Sequence, residues 1–321
     1  MKNHIILFSG GLSSFTVAHL VKEKYPDDNI VLYFTDTLWE DEDLYRFIHE
    51  ASNKLELPLL THSRGITPPQ LMVQQRFMAN NRAGTCSREL KMKVSAKYLK
   101  RGIVPEIEKW YNKHYLRQEE FKSDMILYFG IGWDEAHREG PIRANWQPLK
   151  VEMPLMEMSI DNEKVLKLYG IRRPRLYDME FAHNNCKGRC VKAGQGHYKN
   201  LLMKDEKTYF ELMEQEIVIS DYIRYTKQYG YSKERDYMFD DVYEFVSTGK
   251  KTEKIEHIIR TNKHKKNWNF GTDSKGESIK KQYTFMKSLS LEELEKTPTQ
   301  CDLFDIGGCG CFVDYEESLS P

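Results

Sequence analysis

The segment with the most specific chemical pattern is Ser9–Ser14 (SGGLSS), which directly follows the apolar run Ile5–Phe8. Two adjacent glycines let the backbone approach a bound anion, because no Cβ stands in the way. The helix expected after them supplies free N–H groups and the positive end of its dipole. The pattern lacks the ending of a Walker loop and the spacing of a dinucleotide fingerprint. We therefore predict a phosphate-binding loop of another type, with an ordinary strand-to-helix turn as the alternative.

The cysteines form the second pattern: Cys86, Cys186, Cys190, Cys301, Cys309 and Cys311. The pair Cys186/Cys190 stands in a polar, turn-forming stretch, and thiolates at such spacing can ligate zinc or an iron–sulfur cluster. Glycines flank Cys309 and Cys311, which suits a mobile nucleophile as well as metal ligation. Thiols without a ligand, or a structural turn with incidental cysteines, are the alternatives.

The elements that position these residues alternate along the first part of the chain. Apolar runs at Ile5–Phe8, Ile30–Phe34, Leu57–Thr61 and Met125–Ile131 predict buried strands, and the segments between the first three have helical spacing. Strands alternating with helices indicate a doubly wound parallel α/β sheet. Residues 106–121 are polar and are expected to form an exposed helix.

The chain is expected to have three parts. Residues 1–204 are predicted to form a nucleotide-binding α/β domain, 205–300 a mostly helical extension, and 301–321 a tail rich in cysteine and glycine. The stretch Lys250–Lys266 is locally basic and is followed by Trp268 and Phe270, which could contact a nucleic acid. A solvated helix face is the alternative, since Glu253 and Glu256 interrupt the positive charge.

The glycine loop resembles that of the PP-loop ATP pyrophosphatases, the adenine nucleotide alpha hydrolase superfamily. Their usual pattern is Ser-Gly-Gly-x-Asp-Ser, so Ser13 stands where Asp is usual. Within this superfamily the chain is most similar to the phosphoadenylylsulfate (PAPS) reductase-like branch. The segments that carry this likeness are 33–37 (YFTDT) with Glu40 and Tyr45, 86–91 (CSRELK), 130–138 (GIGWDEAHR), and Pro154-Leu155 with the helix to Tyr169. The resemblance covers about residues 1–200.

The resemblance implies an adenine nucleotide ligand, ATP or else PAPS or adenylylsulfate (APS), with Mg²⁺. The residues it assigns to nucleotide binding are Ser9, Gly10, Gly11, Leu12, Ser13, Ser14, Asp36, Lys91 and Asp134. The residues it assigns to catalysis are Asp36, Arg138, Cys309 and Cys311. Asp36 is expected near the nucleotide, where it accepts from the ribose or helps to hold the metal ion.

The resemblance also implies a metal centre. Cys86, Cys186 and Cys190 match the places of cluster cysteines in iron–sulfur reductases of this branch, although their spacing departs from that of those enzymes. We expect these three sulfurs to converge beside the nucleotide's α-phosphate, with Cys309 or Cys311 as a fourth ligand or with one iron left open. A [4Fe-4S] cluster is the first interpretation and a Zn²⁺ site the second.

Three functions remain open. The first is an enzyme that cleaves ATP at the α-phosphate, adenylates an acceptor and transfers sulfur to it. The second is a PAPS or APS reductase whose C-terminal cysteine attacks the sulfonucleotide. The third is a nucleotide-sensing module without catalysis. The acceptor, which could be a nucleic acid, a sulfur or electron donor protein, and the oligomeric state are not specified by the sequence.

Composition limits the partners and the compartment. Lys+Arg and Asp+Glu are equal at 48 each, so the whole chain offers no net charge for nucleic-acid binding. The apolar run at the N-terminus is too short for a signal-peptide core, and no stretch approaches the roughly 18–20 apolar residues that span a bilayer. We expect a cytoplasmic protein without membrane contact, in which clustered cysteines serve metal or redox chemistry.

Overall fold

The computed structural model describes residues 1–80, 83–230, 238–261, 271–273, 275–279, 283–286 and 289–297. These residues form two compact units. The first consists of Met1–Gly65 and Ser87–Lys187, and the second of Ile66–Cys86 and the described residues from Gly188 onward. The division predicted at residues 204 and 300 stays a prediction.

The first unit is built on one six-stranded sheet among the described residues, in the order β4-β3-β2-β1-β5-β6. The strands are β1 (Asn3–Leu7), β2 (Asn29–Asp36), β3 (Leu59–Ser63), β4 (Ile107–Tyr111), β5 (Met125–Tyr128) and β6 (Lys150–Glu152). All neighbouring pairs are parallel except β3 and β4. Ile5 of β1 is in register with Val31 of β2 and with Leu127 of β5, so the first strand lies at the centre.

Helices lie between the strands of the first unit and make up most of the described C-terminal region. They are α1 (Leu12–Lys24), α2 (Glu42–Leu55), α3 (Pro68–Gln75), α4 (Lys93–Arg101, preceded by a π-helical segment Ser87–Met92), α5 (Glu139–Trp146), α6 (Asn162–Tyr169), α7 (Arg175–Asp178), α8 (Gln195–Lys204), α9 (Glu206–Tyr229), α10 (Phe239–Thr248), α11 (Glu253–Thr261) and α12 (Leu291–Glu295). None of the helices in the described part of the chain is long and apolar enough to cross a membrane.

Both faces of the sheet are covered by helices, which confirms the predicted doubly wound fold. Side chains of α1, α2 and α6 pack with Ile6 and Leu32 in one buried cluster. Side chains of α4 and α5 pack with Ile5 and Val31 in a second buried cluster. Successive residues of a strand point to opposite faces, so strands of this kind must be apolar throughout. That requirement explains why the apolar runs predicted these strands.

The helix expected over residues 106–121 is wrong. Ile107–Tyr111 forms β4 instead, an edge strand antiparallel to β3. Its exposed Glu108 and Lys109 are charges of the kind that edge strands carry, and in sequence such charges resemble a polar helix face. The buried His62 shows why a charge is useful here, because its Nε2 lies 2.8 Å from Glu108 Oε2.

The second unit is helical, as expected for the C-terminal region. Its longest helix, α9, buries Tyr209, Leu212 and Tyr222 on its apolar face. The same helix buries a carboxyl group, that of Glu216, which accepts hydrogen bonds from the amides of Phe285 and Leu291, each at 2.8 Å. Glu216 thus connects two later segments to α9.

The basic stretch Lys250–Lys266 is described only as far as residue 261. Lys250 pairs with Glu244 at 2.9 Å, Lys251 with Glu214 at 2.7 Å, and Lys254 with Asp241 at 3.3 Å. Charges neutralised in this way contribute little to phosphate binding. This part of the stretch therefore favours the salt-paired helix surface over a nucleic-acid contact.

Candidate functional site

The topology places a crevice between β1 and β5. From β1 the chain passes through α1 to β2 on one side, whereas β5 and β6 lie on the other side of β1. In open α/β sheets, ligands bind outside the carboxyl ends of the strands at such a reversal of strand order. Ser9–Ser14 follows β1 and Gly130 follows β5, so both loops stand at this point.

The glycine loop presents unpaired backbone donors. Gly10 has φ +77°, which favours glycine, and Gly11 caps α1 without a side-chain hydrogen bond. The first turn of α1 contains no acidic residue. The amides of Ser13 and Ser14 have no acceptor among the described residues. Together with the helix dipole, these N–H groups form a site suited to an anion.

The serine hydroxyls divide into two roles. The Ser14 hydroxyl donates to the Gly11 carbonyl at 2.8 Å and lies 3.4 Å from the Ser9 hydroxyl. The Gly11 amide in turn donates to the Ser9 hydroxyl at 3.4 Å. Ser9 and Ser14 thus hold the loop in shape. The half-buried Ser13 carries the hydroxyl that remains available to a ligand.

A second glycine, Gly130, lies against the backbone at the start of α1. A Cβ built on Gly130 would lie 2.7 Å from the Ser14 amide nitrogen and 2.8 Å from the Ser13 carbonyl carbon. Real Cβ atoms do not come that close to backbone, so only glycine allows the loop after β5 to pass so near the start of α1.

Asp36 stands at the carboxyl end of β2. Its Oδ1 accepts from the Leu38 amide at 2.7 Å and from the Tyr45 hydroxyl at 2.8 Å. Burial raises the pKa of Asp36 above its ordinary value, and these two hydrogen bonds oppose that rise. The carboxyl group is therefore held in one orientation at the edge where the nucleotide is expected.

Glu40 connects three of the sequence motifs. Its buried carboxylate accepts from the Thr37 hydroxyl at 2.9 Å and lies 3.3 Å from the ammonium group of the buried Lys91. The other oxygen accepts from the Cys186 amide. Lys91, expected to bind nucleotide, is thus paired with a carboxylate, which fixes its position beside the end of β2.

The charged residues of the motif after β5 differ in their exposure to solvent. Asp134 is exposed, and Arg138 is buried with its guanidinium paired to Glu135. The side chain of Trp133, directly before Asp134, is 67% exposed, which is unusual for so large an apolar group. The predicted roles of Asp134 in nucleotide binding and of Arg138 in catalysis stay predictions.

Residues 3–105 match the family model of the phosphoadenosine phosphosulfate reductase domain. This segment belongs to the adenine nucleotide alpha hydrolase superfamily. The matched part of the PAPS reductase domain contains β1 to β3, the glycine loop, Asp36, Glu40 and Lys91. No curated protein and no solved structure gives a match to the chain.

The structure describes three of the six cysteines. Cys186 and Cys190 are buried thiols and Cys86 is half-buried, whereas Cys301, Cys309 and Cys311 lie outside the described residues. Among the described residues, no group of three or more His, Cys, Asp or Glu side chains is arranged to hold a metal ion. The described side chains alone thus do not fit a cluster or a zinc ion, and the predicted shared centre stays a prediction.

Cys186 sits in a strained turn. Cys186 and Lys187 have φ of 57° and 50°, a left-handed conformation that costs free energy in residues other than glycine. The Lys187 ammonium lies 3.2 Å from Glu42, and Arg88 pairs with Glu89 at 3.1 Å. These two cations, which are sequence neighbours of Cys86 and Cys186, therefore have carboxylate partners in the structure.

Sequence reasoning missed two residues that contact the glycine loop. The Tyr177 hydroxyl accepts from the Leu12 amide at 3.3 Å, and the Asn184 amide group donates to the Gly10 carbonyl at 2.9 Å. Both come from the segment after α6, more than 160 residues from the glycine loop. The only signal in the sequence was the polar His183–Asn185 stretch before Cys186.

Proposed function

We propose that this chain is an enzyme that binds ATP in the crevice between β1 and β5 and cleaves it between the α- and β-phosphates. One observation supports this most directly: the amides of Ser13 and Ser14 lack acceptors at the amino end of α1, at the reversal of strand order. A loop of this kind suits a free diphosphate, which carries more charge than the sulfate of a sulfonucleotide.

The proposed reaction is an adenylyl transfer. An acceptor oxygen attacks the α-phosphorus, the bond from that phosphorus to the bridging oxygen breaks, and pyrophosphate leaves. The loop amides stabilise the negative charge that the leaving pyrophosphate gathers, and they need no reorganisation because the serines already hold the loop in shape. A sulfur or nitrogen nucleophile then displaces AMP from the acceptor.

Asp36 is suited to hold the nucleotide's metal ion. One of its oxygens is fixed by Leu38 and Tyr45, and the other has no partner among the described residues. Mg²⁺ in nucleotide sites is commonly held by one or two carboxylates and the phosphates, and it would neutralise phosphate charge here. Lys91 lies beside this end of the sheet, where its ion pair with Glu40 holds the ammonium group in place.

The sulfur-transfer part of the proposal depends on Cys86, Cys186, Cys190 and Cys309. No step is assigned to a cluster, because the described cysteines alone do not form a metal-binding group. The iron and acid-labile sulfide content of anaerobically purified protein tests this part separately. Protein without iron, but with stoichiometric zinc, would favour the zinc interpretation.

A second candidate is a sulfonucleotide reductase, and the description of the matched family favours it. In this reaction the Cys309 or Cys311 thiolate attacks the sulfur of PAPS or APS. The S–O bond to the nucleotide breaks, and an S-sulfocysteine forms. The other thiol then releases sulfite and forms a disulfide, so that two thiols supply the two electrons.

Analysis of the products separates these functions. Purified full-length protein is incubated with ATP or with PAPS, and pyrophosphate, AMP and sulfite are measured. We expect AMP and pyrophosphate from ATP, with activity retained when Cys309 and Cys311 are both changed to Ser. Sulfite release that is lost in this double variant would support the reductase instead. ATP binding without any product would support a nucleotide-sensing module.

A further inference from the structure

The hydroxyl group of Tyr177 stands at the amino end of α1. It accepts from the Leu12 amide at 3.3 Å, and a Cβ built on Gly11 would lie 3.2 Å from its oxygen. Tyr177 as a whole is half-buried. The hydroxyl therefore stands beside the amides of Ser13 and Ser14, which are the donors proposed to bind phosphate.

The position of Tyr177 is fixed by two arginines. Arg173 donates to the Tyr177 carbonyl at 2.6 Å, and its guanidinium lies over the tyrosine ring at 5.6 Å from the centroid. Arg175, at the start of α7, forms a bidentate ion pair with the fully buried carboxylate of Asp41. The shortest contact of this pair is 2.7 Å. A phenol attached to such a support is pre-organised, which lowers the entropy lost when it binds a ligand.

The same segment reaches the loop at a second point. Asn184 is 1% exposed and donates to the Gly10 carbonyl. Its Oδ1 is buried and has no partner among the described residues. A buried acceptor without a donor is costly, so this atom indicates that a water or a ligand donor completes the site next to the loop.

We propose that Tyr177 binds a phosphate group of the nucleotide through its hydroxyl, with Asn184 as a positioning residue for the loop. This inference rests on the proposed function, because it adds a residue to the same nucleotide site. A phenol can accept from the Leu12 amide and donate its proton to a phosphate oxygen at the same time. The bond to phosphate is charge-assisted and is therefore stronger than one between neutral groups.

The test measures binding of two probes, ATP and inorganic pyrophosphate, to the full-length protein by calorimetry. Tyr177→Phe removes only the hydroxyl and keeps the ring. The matched control is Tyr111→Phe, which removes a hydroxyl that contacts Asn53. Tyr111 is on the edge strand β4, three strands away from β1 and the glycine loop. We expect Tyr177→Phe to weaken both probes by about tenfold to a hundredfold, as for a hydrogen bond to a charged group. The control should bind both as the wild type does.

Several outcomes would overturn the proposal. Unchanged binding of ATP and pyrophosphate to Tyr177→Phe would show that the hydroxyl makes no phosphate contact. Tighter binding would show that the hydroxyl competes with the phosphate for the Leu12 amide. A wild-type protein that binds neither probe would contradict the proposed nucleotide site itself, and this inference with it. Thermal unfolding of each variant checks that a loss of binding is not a loss of fold.

Discussion

Gly130 lies directly against the backbone of Ser14, so that a Cβ on this glycine would stand 2.7 Å from the Ser14 amide nitrogen. The two residues belong to loops that follow neighbouring strands, β5 and β1. Their close approach brings the loop after β5 against the start of α1, at the reversal of strand order where the nucleotide is proposed to bind.

Changing Gly130 to Ala should impair ATP binding. The added methyl group meets backbone atoms, which cannot rotate away as a side chain can. Overpacking of this kind costs about 1–3 kcal/mol, and loop displacement worth about 1.4 kcal/mol weakens binding about tenfold. The measurement is calorimetric titration with ATP, accompanied by thermal unfolding.

Gly140→Ala is the matched control for this change. A Cβ on Gly140, near the start of α5, would meet nothing within 4 Å. The substitution should leave ATP affinity unchanged, because the added methyl group lies far from the glycine loop and meets no other part of the fold. If Gly130→Ala binds ATP as well as Gly140→Ala does, the described crevice is not the nucleotide site.

The pair Arg175–Asp41 should contribute measurably to stability. Arg175→Ala leaves the carboxylate of Asp41, whose side chain is 0% exposed, without its guanidinium partner. Loss of one partner of a fully buried pair costs about 3–5 kcal/mol. We expect about 2 kcal/mol here, since the Arg175 side chain is 44% exposed and water can partly replace it.

Chemical denaturation measures this effect, with Arg172→Ala as the control. Arg172 contacts Asp43 at 2.7 Å, but its side chain is 69% exposed, so its removal should cost less than about 1 kcal/mol. Equal losses in the two variants would contradict the special role of the buried carboxylate. Because Arg175 supports Tyr177, Arg175→Ala should also weaken ATP binding.

The hydrogen bond from Tyr45 to Asp36 should affect the pH profile of pyrophosphate release. Burial raises the pKa of Asp36, and the hydrogen bond from the Tyr45 hydroxyl lowers it. If the carboxylate form is the active one, activity falls as pH drops through this raised pKa. Tyr45→Phe removes a donor that favours the carboxylate, so the acid limb of pyrophosphate release should move to higher pH.

Tyr169→Phe is the control for the pH profile, because the Tyr169 hydroxyl contacts His19 rather than Asp36. Asp36→Asn should abolish turnover at every pH. An acid limb that stays in place, or moves to lower pH, in Tyr45→Phe would show that Asp36 does not set it.

Glu216 predicts a pH dependence of stability in the helical unit. Burial raises the pKa of Glu216 to about 8, from an ordinary value of 4.5, although two backbone amides partly oppose this. Between these two pKa values the unfolded chain has released the proton that the folded chain still holds. The free energy of unfolding should therefore fall as pH rises from about 4.5 to about 8, by at most about 1.4 kcal/mol per pH unit, and level off above.

Denaturation of Glu216→Gln across this pH range tests the effect. Glutamine does not titrate, so the variant should lose this part of the slope, whatever its absolute stability. Glu211→Gln, on the same helix and half exposed, is the control and should keep the wild-type slope. A slope that is identical in wild type and Glu216→Gln would show that Glu216 is ionised in the folded chain throughout.

The central strands and the glycine loop could be predicted because their signals are local. A short apolar run such as Ile5–Phe8 that ends at glycines is typical of a strand buried on both faces, and the glycines after it indicate a turn to a helix. Asp36 could be predicted as well, because it stands just after the second such run, Ile30–Phe34. The edge strand β4 could not be predicted this way, since its charged residues give no apolar alternation.

The contacts in the site between residues distant in sequence could not be predicted. The contacts of Tyr177 and Asn184 with the loop join residues far apart in sequence, and no spacing rule connects them. The same is true of Glu40, whose carboxylate reaches Lys91 and Cys186 only because the fold brings three motifs together. Glu216 lies in a highly charged helix, where nothing in the pattern distinguishes the one buried carboxyl from its exposed neighbours.

The position of ATP cleavage is the most direct test of the central claim. The full-length protein is incubated with ATP and Mg²⁺ in ¹⁸O-labelled water, with water as the acceptor, and the products are separated and weighed by mass spectrometry. Attack at the α-phosphorus predicts AMP and pyrophosphate with the label in AMP only, and about tenfold less of both from Gly130→Ala at ATP concentrations below the wild-type Kd. Label in pyrophosphate, ADP with phosphate as the products, or no cleavage by the wild-type protein would contradict the account.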